Sequence, residues 1–254
     1  MKLLSLLTFC FLVCGLPATA TGAGGSQISL GQVRFAGVTQ PDRLRALESV
    51  AAEISQRTSI EASRRAHSVP IQSDERFRYP LMFLPCSAPV PVLGLDEETA
   101  LSIWMRMGGT LVIDWQGGAA DLESFRTSLE RFVATVLPGR LLERVPRTHV
   151  LYRSFYRLKY ASGRIQLVDD LYGVVVEDRY ALLVSFNDLL SAAERSADGS
   201  FSLPVVPGGE NQREDAIRFL VNIVAYILCL DYKDDKVHLD YLRSRRNWQL
   251  PVED

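Results

Sequence analysis

The 254-residue chain is 47% hydrophobic and 23% charged, and its formal net charge is −2. This balance is typical of an ordinary globular protein, and it leaves no charge excess that would favour nucleic acid or an acidic membrane surface as a partner. The length fits one large α/β domain.

The N-terminus has the pattern of a secretory signal. Lys2 precedes an almost unbroken apolar run at 3–16, and the small residues that close it predict cleavage after Ala20. The apolar run is shorter than the about 20 residues that a membrane-spanning helix needs. Lipidation at Cys14 is an alternative, but Val13 is bulkier than the residue expected before a lipidated cysteine.

The sequence therefore predicts an exported protein, periplasmic in preference to extracellular. Its predicted parts are a signal peptide at 1–20, a flexible Gly-rich leader at 21–27 and a single domain at 28–254. No transmembrane segment is expected after signal removal. Two cysteines then remain, Cys86 and Cys229, and their apolar surroundings favour buried thiols over a disulfide. No metal site and no cofactor are predicted, since the chain has no C-x-x-C motif and no His/Cys cluster.

Strand and helix patterns alternate through the first half of the domain. The predicted elements are a strand at 28–35, a helix opened by Pro41-Asp42, a short strand at 60–63, a buried strand at 81–84, a helix capped by Asp96, a strand at 110–113 that ends at Asp114, and a helix at 121–137. This order and spacing imply parallel strands joined by right-handed crossovers.

The second half predicts a different arrangement. Its expected elements are a hairpin of 173–176 and 180–186, a short helix at 189–193, a long loop at 192–212, and a buried core helix at 214–230. A loop of that length is usually functional or disordered.

In an open parallel sheet, ligands bind outside the carboxyl ends of the strands. The residues predicted at those ends, together with His149 from a separate polar and aromatic stretch, form the candidate binding set. That set is Cys86, Ser87, Asp114, Trp115, His149, Asn187 and Asp188.

Each candidate also has a structural interpretation. Cys86 has the features of a small core residue, and Asp114 would accept backbone amides in a tight turn. Asn187 and Asp188 would cap the short helix. His149, which has no identified partner, would be a structural hydrogen-bonding residue in preference to a base. The segment 147–164 mixes aromatic and basic residues, which suits single-stranded nucleic acid, but export favours an anion or a partner surface instead.

Several segments resemble the domain of unknown function 4159 family, in the same order and over 33–246. They are Phe77-Arg78-Tyr79-Pro80 through Leu84, Met107-Gly108-Gly109-Thr110 through Asp114, Leu142 through His149, Tyr152-Arg153-Ser154-Phe155-Tyr156, Tyr172-Gly173-Val174, Ser185-Phe186-Asn187-Asp188, Asn222 through Tyr226, and Tyr232 through His238.

The resemblance implies a three-layer, parallel-sheet fold of the glutamine-amidotransferase-like, flavodoxin-like superfamily. Its enzymes carry a nucleophilic cysteine at a strand-to-helix elbow, where this chain has Asp114-Trp115. Cys86 stands where those enzymes have the glycine of a Pro-Gly oxyanion loop. These departures argue against hydrolysis through a covalent thioester.

The favoured hypothesis is a non-catalytic envelope domain whose strand-end crevice binds a small polar ligand or a partner protein. One alternative is a hydrolase that uses Asp114 or Asp188 as a base with His149 as partner. Another is a purely structural protein, which predicts backbone-bonded roles for Asp114 and Asn187 and no polar crevice.

Overall fold

The computed structural model describes the backbone of residues 27–246 and the side chains of 27–228. The predicted signal peptide, most of the leader, the Cys229 thiol and the side chains of the predicted tail residues therefore lie outside the described residues. A seven-stranded sheet forms the centre, with strand order β2-β1-β3-β4-β7-β6-β5. Its strands are β1 Gly31–Arg34, β2 His67–Pro70, β3 Leu81–Cys86, β4 Thr110–Trp115, β5 Glu143–Arg144, β6 Tyr172–Val176 and β7 Arg179–Ser185.

Five strands, from β2 across to β7, run parallel, and β6 and β5 add an antiparallel edge. The best-formed pairing joins β3 to β4, from Leu81 opposite Thr110 to Cys86 opposite Trp115. Both of these strands are buried along their whole length, as their continuous apolar sequences predict for the centre of a parallel sheet. The predicted α/β class is confirmed.

Helices cover both faces of the sheet. They are α1 Leu44–Arg57, α2 Leu95–Arg106, α3 Leu122–Val136, α4 Leu189–Ala193 and α5 Gly209–Arg246. Helices α1, α4 and α5 enclose one apolar core, and α2 and α3 enclose the other. The described part of the chain thus has three layers. None of its described helices is both long enough and apolar enough to cross a lipid bilayer.

The late hairpin forms as predicted. Glu177 and Asp178 connect β6 to β7, and both have positive φ angles of 50° and 64°. Two consecutive left-handed residues are the geometry of the tight turn that matches the twist of a hairpin.

Several predicted boundaries differ from the structure. The segment 60–63 makes only a single bridge, Ala62 to Ile28, and the second strand is β2 instead. Helix α2 has Gly94 as its N-cap, so Asp96 lies in its first turn and does not cap it through its side chain. The core helix extends at both ends beyond 214–230, because it begins at Gly209 and ends at Arg246.

The long loop is shorter and better fixed than predicted, since α4 and α5 take residues from both of its ends and leave 194–208. Arg213 is buried in α5 and donates hydrogen bonds to the carbonyl oxygens of Ala192 and Leu203, both at 2.7 Å. The guanidinium groups of Arg195 and Arg213 lie 4.0 and 4.1 Å from the ring centre of Phe201. These contacts tie the loop to the domain.

Candidate functional site

Asp114 lies at the carboxyl end of β4 and is fully buried. Its two carboxylate oxygens accept hydrogen bonds from the backbone N–H groups of Leu189 at 2.7 Å and Leu190 at 2.9 Å. These are the first two residues of α4, whose own N-cap residue, Asp188, makes no side-chain cap. Asp114 therefore satisfies the free N–H groups of a helix that lies 75 residues further along the chain.

Asp188 lies directly beside this contact and is almost fully buried. It takes a left-handed conformation with φ of 54°, and its carboxylate forms an ion pair with Arg164. Burial raises the pKa of Asp114 above its ordinary value, and the nearby Asp188 carboxylate raises it further, while the two N–H donors oppose the rise. Arg164 supplies the positive charge that offsets this pair of acids.

Asn187 is buried and holds the segment 161–168 against the end of β7. Its amide oxygen accepts from the N–H groups of Leu167 and Val168, at 2.8 and 3.0 Å. Its amide nitrogen donates to the carbonyl oxygens of Ala161 and Val168, at 2.9 and 2.6 Å. All of its hydrogen-bonding capacity is therefore used by backbone groups.

The predicted residues at the ends of β3 and β4 are also mostly buried. Cys86 is 5% exposed, and burial, with a contribution from Asp114, raises the pKa of its thiol well above the ordinary value. A protonated, enclosed thiol is a poor nucleophile. The Trp115 ring is buried and stacks on Phe125 with ring centres 4.4 Å apart. Ser87 alone of these residues is exposed.

His149 lies near the opposite ends of the parallel strands. Its ring contacts Tyr180 edge-on, with ring centres 5.0 Å apart, and Tyr180 is at the amino end of β7. Asp114 pairs with Ser185, at the carboxyl end of the same strand. Tyr180 and Ser185 are five residues apart, which along a strand is about 16 Å. Burial, and then the charge of Arg153, lower the pKa of His149.

The structure thus brings Asp114, Asn187 and Asp188 together with Cys86 and Trp115, and it leaves His149 apart. The side chains of Asp114 and Asn187 are bonded to backbone groups, and one oxygen of Asp188 pairs with Arg164. The other Asp188 oxygen and Trp115 Nε1 are buried and have no hydrogen-bond partner among the described residues. This set, which we call the β4–β7 lock, joins the sheet to α4 and to the 161–168 segment.

Asp114 lies at the carboxyl end of its strand, and a cleft opens on the same side of the sheet, at the carboxyl ends of β1 and β2. Its main part has a volume of about 630 Å³, and an adjoining part has about 270 Å³. Both parts are lined by Arg34, Val38, Thr39 and Ser68. The strand order reverses between β1 and β3, because the chain goes from β1 to β2 on one side and then crosses to β3 on the other. The cleft lies beside this switch point, on the β2 side of β1, and outside the carboxyl ends of the strands, which is the end of open α/β sheets where ligands bind.

Hydrogen bonds with side chains of α2 and β1 fix the rim of this cleft. Glu97, buried in the first turn of α2, accepts a 2.6 Å hydrogen bond from the N–H of Ala36. Gln32, buried in β1, donates to the carbonyl oxygen of Pro41 at 2.8 Å and accepts from the N–H of Arg43 at 2.9 Å. The loop that follows β1 is thus fixed at both ends by side chains of the domain.

The chain matches the model of a known protein family. The family model described as "Domain of unknown function (DUF4159)" matches residues 29–228. The chain belongs to this family. No curated protein matches the chain.

The cleft of this DUF4159 domain was not predicted from its sequence, for two reasons. Strand β2, which supplies Ser68, has only four residues and ends in Pro70, so its pattern is weak. Arg34 was inside the predicted first strand, at 28–35, but the strand order was needed to show that the carboxyl ends of β1 and β2 lie side by side. The described residues of the DUF4159 domain contain no group of three or more His, Cys, Asp or Glu side chains that could hold a metal ion.

Proposed function

We propose that this DUF4159 domain is a non-catalytic binding domain, and that the cleft at the carboxyl ends of β1 and β2 holds a small polar ligand. The observation that carries the proposal is the cleft itself. It is large enough for a small metabolite, it lies outside the carboxyl ends of the strands and beside the topological switch point, and its rim is fixed by Glu97 and Gln32.

The β4–β7 lock supports the non-catalytic part of the proposal. A general base must reach the proton that it removes, and Asp114 is fully buried with both of its oxygens bound to backbone. His149, which a carboxylate–histidine hydrolase would need as a partner, lies at the other end of β7. The same geometry supports a structural role for Asp114 and Asn187.

A purely structural protein is the second candidate, favoured by the backbone-bonded Asp114 and Asn187. It does not explain the polar cleft two strands away, whose rim is fixed by hydrogen bonds with Glu97 and Gln32. The binding proposal accounts for both features.

The scaffold and the location are part of the same proposal. The order β2-β1-β3-β4 is that of flavodoxin-like folds, which supports a glutamine-amidotransferase-like ancestry in which Asp114-Trp115 occupies the elbow. Ammonia release from glutamine by the purified protein would contradict the non-catalytic assignment.

The pattern of residues 1–20 supports export to the periplasm. We expect N-terminal sequencing of the protein from its native cells to begin at Thr21, and fractionation to recover it with periplasmic proteins. An intact N-terminus in the cytosolic fraction would exclude export.

Filling the cleft tests the binding function. Thr39 is exposed and lines both parts of the cleft, so Thr39→Trp should occupy it without disturbing the core. Ligand-observed NMR with a mixture of sugars, sugar acids, sugar phosphates, amino acids and dipeptides should find compounds that bind the wild type. We expect Thr39→Trp to weaken their binding at least tenfold with an unchanged melting temperature.

Thr127→Trp is the matched control, because Thr127 is exposed on α3 and lies outside the cleft. Binding that is equal in the wild type and both variants would place the ligand elsewhere. A screen that gives no compound sensitive to Thr39→Trp would overturn the proposed function.

A further inference from the structure

We infer that the ligand of the β1–β2 cleft carries an anionic group, a carboxylate or a phosphate, on a hydroxyl-rich body, and that Arg34 binds that group. This inference rests on the proposed binding function and adds the chemical class of the ligand. It is carried by the donors that line the cleft and by the absence of partners for them among the described residues.

Arg34 is the central group. It is the last residue of β1, its side chain is exposed, and it borders both parts of the cleft. Within residues 27–228 no carboxylate forms an ion pair with it. A guanidinium offers parallel N–H groups that match the two oxygens of a carboxylate or phosphate.

Within the described part of the chain, the acids of the cleft form no ion pair with Arg34, and each accepts a backbone N–H instead. Glu97 accepts from Ala36 at 2.6 Å, and Asp42 accepts from Leu44 at 3.0 Å. Each carboxylate has a second oxygen, which is suited to accept hydrogen bonds from ligand hydroxyls. Among the described residues, the cleft thus combines an unpaired guanidinium with acceptors fixed at its border.

The remaining polar groups extend the donor set. The side-chain nitrogen of Gln40 is buried at the border of the smaller part and has no hydrogen-bond partner among the described residues. A buried amide donor without a partner costs free energy, which a ligand oxygen would recover. The hydroxyl groups of Thr39 and Ser68 line both parts of the cleft and can donate or accept. These donors favour a ligand rich in oxygen acceptors.

The volume limits the size of the body. The main part, about 630 Å³, is within the range of small-molecule sites and accommodates a compound of the size of a monosaccharide or disaccharide. Both anion types satisfy the same donors, so the structure specifies their shared chemistry, and the experiment separates them.

The test compares three probes that share the glucose ring and differ in the group they carry at carbon 6: glucose, glucuronate and glucose 6-phosphate. Titrations followed by NMR on the full protein should give at least tenfold tighter binding of one or both anionic probes than of glucose. The better of the two identifies the anion. Arg34→Gln should remove this preference, and Arg34→Lys, which keeps the charge but not the paired N–H groups, should retain part of it.

Arg45→Gln is the matched control, because Arg45 is exposed on α1 and outside the cleft, and it should leave all three affinities unchanged. Equal affinity for glucose and both anions, no binding of any probe, or an anion preference that survives in Arg34→Gln would overturn the inference. If neutral compounds in the wider screen still bind in a way that Thr39→Trp abolishes, the cleft remains the binding site. If no compound is sensitive to Thr39→Trp, the proposed function fails as well.

Discussion

Replacing Asp114 with alanine should lower the free energy of unfolding by about 4 kcal/mol, which corresponds to about 10 °C in melting temperature. The substitution leaves the N–H groups of Leu189 and Leu190 buried without an acceptor. Each such donor costs about 1–3 kcal/mol. Relief of the repulsion between Asp114 and Asp188 offsets part of this loss.

Urea denaturation at neutral pH measures the effect, with Asp121→Ala as the control. Asp121 is also an aspartate at the start of a helix, but it is exposed and makes no side-chain cap. We expect a change within about 0.5 kcal/mol for the control. A loss below about 1 kcal/mol for Asp114→Ala would mean that α4 does not depend on this carboxylate.

The second large effect is expected at Gly163. A Cβ atom at this position would lie 2.0 Å from the backbone oxygen of Asn187 and 2.6 Å from its carbonyl carbon. The carbonyl oxygen of Gly163 also accepts a hydrogen bond from Gln212 at 2.8 Å, so the segment cannot move away without breaking this bond. Gly163→Ala should therefore destabilise the protein by about 3 kcal/mol or more.

Gly118→Ala is the matched control for this substitution. A Cβ at Gly118 would have no heavy atom within 4 Å, and the φ angle there is −82°, which alanine adopts without strain. Its melting temperature should equal or slightly exceed that of the wild type. If Gly163→Ala unfolds at the same temperature as Gly118→Ala, the contact between 161–168 and the end of β7 is not tight.

The central part of the fold could be predicted because its signals are local. Strands β3 and β4 are continuous apolar runs, and the hairpin is marked by two polar turn residues between apolar segments. The segment 60–63 has the same kind of local signal and forms only one bridge, because β1 pairs instead with β2. Whether a short apolar segment joins a sheet depends on its neighbours in space.

The candidate site shows the same limit. The polar residues that follow β4 and β7 were recognised as strand ends, but their roles depend on contacts between distant segments. Asp114 caps a helix 75 residues away, and Asn187 holds a segment some 20 residues before it. The cleft residues Arg34 and Ser68 become neighbours only when β2 is placed beside β1. The spacing of these residues along the sequence does not indicate any of these contacts.

The two edges of the sheet also bear on how the protein behaves at high concentration. One edge, β5, has only two residues, and the other, β2, has four and ends in Pro70, which has no N–H to donate. Exposed strand edges are where neighbouring chains add strands and aggregate, and short edges with proline oppose this. Most of the backbone hydrogen-bonding capacity of this sheet is enclosed in β3, β4 and β7, so the domain offers little template for intermolecular strand addition.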